Sequence, residues 1–339
     1  MQVRGSVIRA SLGLALILVS SAALAQYKLV NLVSNQVSKA RHDDPLLVNA
    51  WGLTYAPGSP FWIADNGSGW STLYTGNGTA RSLKVEVASA NDHGPGSPTG
   101  IVFNGSQEFQ VQGWPAIFLF ATLDGTISGW APQSDPNNTL IAVDNSKAGA
   151  VYTGLAITSK SAGNHIFAAD AANNKVDVYD GSFSLVTSFT DPTVPVGFTP
   201  FGIQDINGLV YVTFADALGG PGGFVDIYSE DGVFQSRALE GAPLNQPWGV
   251  ELAPKNFGPL SNTLLISNNT NNGTINAFNA KGQHVGVVKD TNGKVIRIDQ
   301  LWGIRFGGGT PNDGRTNQLF FTAGPSNNLA GTFGVISFP

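Results

Sequence analysis

The sequence predicts an all-β fold, a six-bladed β-propeller of four-stranded antiparallel blades closed by its N-terminal strand, and three observations predict it. Six times a Trp, Thr or Phe is followed by Gly and an aliphatic residue at the start of an apolar stretch: Trp51-Gly52-Leu53, Thr99-Gly100-Ile101, Thr153-Gly154-Leu155, Phe201-Gly202-Ile203, Trp248-Gly249-Val250 and Trp302-Gly303-Ile304. Successive glycines stand 48, 54, 48, 47 and 54 residues apart, the interval of a four-stranded blade. Between them lie short apolar stretches separated by Gly, Asn and Asp, which is the pattern of hairpin-connected antiparallel strands.

The third repeat shows the order of a blade in full. An inner strand at Thr153 to Ile157 leads to a second at His165 to Ala169, a turn at Asp170 to Asn174, a third strand at Lys175 to Tyr179 and an outer strand at Leu185 to Phe189. The other repeats place their second and third strands at Phe61 to Ala64 and Thr72 to Tyr74, Ile117 to Ala121 and Thr126 to Trp130, Leu209 to Phe214 and Gly223 to Tyr228, Leu264 to Ser267 and Thr274 to Phe278, and Leu319 to Ala323 and Phe333 to Phe338. The sixth repeat therefore holds three strands. The alternating segment Tyr27 to Val33 precedes the first inner strand and is expected to supply the missing one, closing the ring and removing an exposed edge. The recurring Gly allows inner strands to approach one another near a crowded axis. The aromatic residue before it is read as packing between neighbouring blades, in preference to a sugar-stacking platform in the channel.

Length and composition agree with one domain over residues 26 to 339, preceded by an export signal over residues 1 to 25. Arg4 and Arg9 precede the apolar run Ala10 to Val19 and the segment ends in Ala23-Leu24-Ala25, the order of a cleaved signal segment, and the run is too short to span a bilayer. The chain is expected to be periplasmic or extracellular, monomeric, and without a membrane span once the signal is removed. Removal moves the formal charge from −5 to −7, which excludes nucleic acid as a natural partner. The absence of cysteine excludes disulfides and thiolate chemistry.

In a propeller, the turns joining second to third strands share one face with the connections that lead from each outer strand to the next blade. The first group contributes Asp65, Asp124, Asp170, Asp216, Asn268 and Asn269, and the second His42, Asp43, Asp44, Asp92, His93 and Asp299. Carboxylates and amides at a pore mouth are the oxygen ligands a hard cation such as Ca²⁺ takes, so Asp65, Asp170 and Asn269, equivalent points of three blades, are candidate metal ligands. Asp, Asn and Gly also populate such turns for conformational reasons alone. His42 and His93 flank acids in consecutive connections and are the candidate catalytic residues, as metal ligand or as general base with its orienter. His165 and His284 fall in strands and are read as structural. Asp43, Asp44, Asp92, Asp124, Asp216, Asn268 and Asp299 complete a binding rim. No Gly-x-Ser-x-Gly elbow or phosphate loop is present.

The repeat grammar of Ile166-Phe167-Ala168-Ala169-Asp170 through Val176-Asp177-Val178-Tyr179-Asp180 resembles NHL-type six-bladed propellers. Asn49-Ala50-Trp51-Gly52-Leu53, Phe61-Trp62-Ile63-Ala64-Asp65-Asn66, Asp124 through Trp130, Gln246-Pro247-Trp248-Gly249-Val250 and Phe320-Phe321-Thr322-Ala323-Gly324 resemble a family of exported bacterial propellers of unassigned activity. That resemblance implies the fold and export. Gluconolactonase-like lactonases are related six-bladed enzymes that hold a channel metal on acidic and amide side chains. Here the residues three before each Gly are Asn49, Ser97, Val151, Thr199, Gln246 and Gln300, a ring without a carboxylate. Two functions are expected from this chain. One is a binding or interaction module whose top face takes a small polar molecule, a glycan or a protein. The other is a metal-assisted, lactonase-like hydrolase or lyase acting on a small polar or sugar-derived substrate.

Overall fold

The computed structural model of the protein describes residue 2 and residues 27–90, 94–159 and 163–338. The segment read as an export signal, together with Asp92 and His93, lies outside the described residues. Among those described, no helix is long and apolar enough to cross a membrane.

Six antiparallel sheets radiate from an axis. From inside outward, blade 1 is Ala50–Thr54, Phe61–Asp65, Trp70–Tyr74 and Val85–Glu86. Blade 2 is Pro98–Phe103, Phe118–Thr122, Thr126–Trp130 and Leu140–Asp144. Blade 3 is Tyr152–Ile157, His165–Asp170, Lys175–Asp180 and Leu185–Phe189. Blade 4 is Phe198–Ile206, Leu209–Asp216, Phe224–Ser229 and Phe234–Glu240, and blade 5 is Pro247–Leu252, Leu264–Asn268, Ile275–Phe278 and His284–Val287. Blade 6 is Leu301–Phe306, Gln318–Ala323 and Thr332–Ser337, completed by Lys28–Ser34.

The closing strand pairs antiparallel to the last one, Lys28 opposite Ser337 and Ser34 opposite Thr332, with a bulge between Asn31 and Val33. Its anchor is Tyr27, which is fully buried and donates from its hydroxyl to Phe257 O at 2.8 Å. The N-terminus thus locks onto blade 5 as well as completing blade 6. His42–Asp43 adds a short parallel strand outside it.

Apolar side chains fill the spaces between adjacent blades. Phe61, Phe320 and Phe333 pack between blades 1 and 6, and Tyr152, Ile166 and Leu119 between blades 2 and 3. At the axis the repeated Gly permits contact of neighbouring inner strands. A Cβ on Gly202 would lie 1.9 Å from Trp248 O, and one on Gly100 2.2 Å from Leu155 N. Hydroxyls tie the same strands together. Thr213 and Ser267 each take a hydrogen bond from the Gly amide of their own blade and donate to the next blade's carbonyl, at Pro247 O and Trp302 O respectively, and Thr322 bridges Gly303 to Trp51 O in the same way. In blades 2 and 3, where Thr replaces the aromatic, Thr99 and Thr153 reach the next carbonyl with their own hydroxyls.

Candidate functional site

The connections and turns expected on one face do share it. In every blade the start of the turn after the second strand donates a backbone hydrogen bond to the residue entering the inner strand: Asn66 to Asn49, Leu123 to Ser97, Ala171 to Val151, Ala217 to Gly197, Asn269 to Gln246 and Gly324 to Gln300. Asn49, Gln246 and Gln300 adopt positive φ, between 48° and 53°, a left-handed turn that non-glycine residues seldom adopt.

At the top of the axis the channel is plugged. Trp51 and Trp302 stack at 3.6 Å, Trp248 meets both edge-on at 6.2 and 5.9 Å, and Phe201 closes on Trp51 at 6.4 Å. Trp51 and Phe201 stand on blades 1 and 4, opposite sides of a six-membered ring, so their rings meet across the axis. The packing expected between neighbouring blades is present, Trp51 on Trp302 and Trp248 on Trp302, and it extends beyond neighbours to a cluster across the axis. The register irregularity around each x-Gly pair is a bulge, and bulges re-aim side chains. The indoles of Trp248 and Trp302 are fixed by hydrogen bonds to Thr153 O and Asn49 Oδ1. With Trp302 at 3 %, Trp51 at 6 % and Trp248 at 9 % exposure, these three indoles present no stacking platform to solvent. Below the plug, Leu53, Ile101, Leu155, Ile203, Val250 and Ile304 line a cavity of only about 30 Å³.

The acids of the rim are engaged in holding connections to turns. Asp65 is buried, its Oδ2 accepting from Thr72 N and Oγ1 at 3.0 and 2.7 Å. Burial, with the charge of Asp44 nearby, holds its carboxyl well above the usual carboxylate range. Asp44 accepts from Tyr74 Oη and Leu46 N, and Asp43 from Ser38 N. Asp170 accepts from Val151 N and from Asn173 N and Nδ2. Asp124 accepts from Ala90 N and Ser97 N, Asp216 from Leu218 N and Gly220 N, and Asp299 from Ser326 N. Asp65, Asp170 and Asn269 belong to blades 1, 3 and 5, so the fold spreads them around the ring. Among the described residues no three His, Cys, Asp or Glu side chains gather closely enough to hold a metal. His42 is exposed on the short outer strand beside Asp43. His165 and His284 lie in strands with their rings edge-on to Phe167 and Phe278.

An open cleft of about 790 Å³ lies on the same face across blades 4, 5 and 6. Its walls are Gly219 and Pro221 from the blade 4 turn, Pro243, Asn245 and Gln246 from the next connection, the run Asn268 to Asn272 with Thr274, and Arg297 and Gln300 entering blade 6. Among the described residues no carboxylate lines it. Gln246 is fixed by donating to Asp216 O and Gly220 O at 3.0 and 2.8 Å, and Gln300 by donating to Asn271 Oδ1 at 2.6 Å. Asn269 donates to Leu301 O, and Asn268 spans Asn245 N and Pro243 O. Asn271, Asn272 and Arg297 are exposed. The sequence reading named Asn268, Asn269, Gln246 and Gln300 and placed no binding role on Asn271, Asn272 or Arg297. The available signal was four asparagines within five residues, more than a turn requires. Such a surface offers neutral donors and acceptors at fixed positions with one cation.

No family model matches the sequence. The protein is similar to the gluconolactonase XC5397 from Xanthomonas campestris, with 13 % identity, 94 % of this chain and 91 % of that one covered, and a TM-score of 0.59. It is similar also to a streptogramin B lyase, with 13 % identity, 94 % and 100 % covered, and a TM-score of 0.56. Likeness at that identity is a likeness of fold. Uncharacterized protein R648 of Acanthamoeba polyphaga mimivirus is 31 % identical over 337 residues, covering 93 % of this chain and 81 % of that protein. The chain therefore belongs to the family that contains this uncharacterised mimivirus protein.

Proposed function

We propose that this propeller is a binding module, and that its recognition site is the amide-lined cleft over blades 4 to 6. The observation that carries the reading is the aromatic plug, which fills the axial mouth, beside which the rim cleft is an open polar concavity on that face. Pockets that bind specifically place a few fixed polar groups around the ligand. Here those groups are uncharged amides and threonine hydroxyls beside Arg297, a set matched to a hydroxyl-rich ligand, a neutral or singly anionic glycan. Export to the periplasm or cell exterior, a monomeric state and kinship with NHL-like bacterial propellers belong to the same proposal. The signal-like N-terminal segment supports export, and the repeat grammar the kinship.

Titration calorimetry against a panel of soluble neutral and uronic-acid oligosaccharides tests the site. Saturable binding to at least one member is expected, weakened tenfold or more in the Asn272→Ala, Arg297→Ala double variant with its melting temperature unchanged. Equal affinity in that variant, or no binding across the panel, would overturn the assignment.

The metal-assisted alternative needs carboxylates or histidines that converge. The nearest support for it is Asp65, whose Oδ1 is buried without a hydrogen-bond partner among the described residues close enough to Asp44 to feel its charge. Stoichiometric Ca²⁺ in dialysed protein, lost with the Asp65→Asn substitution, would restore that reading.

A further inference from the structure

A second concavity, independent of the top-face reading, lies at the seam where the N-terminal strand closes the ring. It is a groove of about 660 Å³ between blades 6 and 1. Lys28 projects into it from the closing strand, Arg41 from the connection that follows, and Arg315 from the loop between the first two strands of blade 6. The other walls are small or neutral, with Gly76, Gly309 and Gly314 supplying bare backbone. Among the described residues no Asp or Glu lines the groove, although the whole chain has 23 acids to 18 bases.

Lys28, Arg41 and Arg315 are exposed, and among the described residues none of the three enters a salt bridge, in contrast to Lys175 and Arg237, whose charges are taken up by Asp177 and by Asp191 with Asp226. The nearby carboxylate, Asp313, is buried and already accepts from Thr310 N and Oγ1 and from Gly58 N. A fourth cation, Arg81, is held against the same loop by donating to Asn312 Oδ1 at 2.7 Å. Like charges gathered without a counter-charge repel one another and raise the local concentration of anions. Guanidinium groups bind phosphate and sulfate oxygens through paired, charge-assisted hydrogen bonds.

We propose that this seam groove is a binding site for an oxyanion-bearing ligand, a molecule carrying phosphate or sulfate groups, which Lys28, Arg41 and Arg315 grip together. Because these residues come from the closing strand, its connection and the body of blade 6, the bound ligand clamps the ring shut. Occupancy is therefore expected to raise the melting temperature, since a ligand that binds only the folded state stabilises it.

The test uses two probes at low ionic strength, inorganic pyrophosphate for a small ligand and dextran sulfate for a polymeric one, each followed by thermal shift and titration. At least one is expected to bind saturably and raise the melting temperature. The Arg41→Gln, Arg315→Gln double variant should bind it tenfold or more weakly, the affinity of the wild type should fall with added salt as screening grows, and Lys147→Gln, an exposed cation in the connection from blade 2 to blade 3 that lines neither concavity, should bind as the wild type does. Binding of pyrophosphate assigns the site to a small ligand, and binding of dextran sulfate alone to a polymer. The double variant alters only exposed side chains, so its unliganded melting temperature should equal that of the wild type. Failure of both probes to bind, or equal binding by wild type and double variant, would overturn the proposal.

Discussion

The axis and the rim of the top face are built from the same repeat and have opposite characters. At the axis, four blades give an aromatic residue to one buried cluster and the other two give a threonine. The rings fill the space, and two of their three indole N–H groups are bonded to protein. On the rim over blades 4 to 6, the corresponding connections end in Gln246 and Gln300, whose amides are held by the neighbouring turns and leave an open cleft of neutral amides and hydroxyls with one cation, Arg297. The contrast teaches that in this propeller the axis is a structural element, whereas polar groups that are fixed yet reachable lie outward on the rim.

Substitutions separate the two regions most strongly at the axis. Gly202→Ala should have the largest effect, because its Cβ would sit 1.9 Å from a backbone carbonyl that cannot retreat without moving blade 5. Loss of soluble folded protein, or a fall of several kcal/mol in unfolding free energy, is expected from over-packing against backbone. Trp302→Ala comes next, at about 3–5 kcal/mol for an emptied aromatic site, measured by denaturant unfolding. Removing Tyr27 to Val33 should also lower the melting temperature markedly, since it strips blade 6 of its outer strand and the core of Tyr27.

A smaller, pH-dependent effect is expected at the bottom of the inner strand of blade 4. Burial, with the charge of Glu230 adding to it, pushes the Asp205 carboxyl from 3.8 up to about 6, and its Oδ2 is buried without a partner among the described residues. The folded protein keeps a proton that the unfolded chain has released, so this contribution to stability is present below about pH 4 and is lost as pH rises through about 6. Melting temperatures of wild type and Asp205→Asn from pH 4 to 7 should show that fall in the wild type and a flatter profile in the variant.

On the rim, Asn272→Ala with Arg297→Ala should change unfolding free energy by less than about 0.5 kcal/mol, as for exposed positions generally. The smallest effect of all should come from metal removal. With the rim acids already serving turn amides and hydroxyls, dialysis against a chelator should leave the melting temperature unchanged.

Much of this contrast was legible in the residues, though unevenly. The Gly repeat could be read because each blade meets the same steric demand where inner strands touch, and the closing strand because an edge at Thr332–Ser337 needs a partner. The described rim acids sit on the turns and connections where sequence placed them, but their role depended on which backbone amides the turns presented, and that is set by local geometry. The aromatics were recognised as packing, yet their meeting across the axis depends on the bulge at x-Gly, which turns a side chain away from the face that strand alternation assigns it. Their distribution, aromatic in four blades and threonine in two, was the trace of a shared cluster that must leave room. Arg297 had no such trace, since its place in the cleft comes from a connection of irregular course.

A crystal of the protein soaked with the oligosaccharide that titrates most tightly tests the division between axis and rim most directly. Difference density is expected over blades 4 to 6, against Gln246, Asn272 and Arg297, with the Trp51, Trp248 and Trp302 cluster undisturbed. Density in the channel with those rings displaced would contradict it.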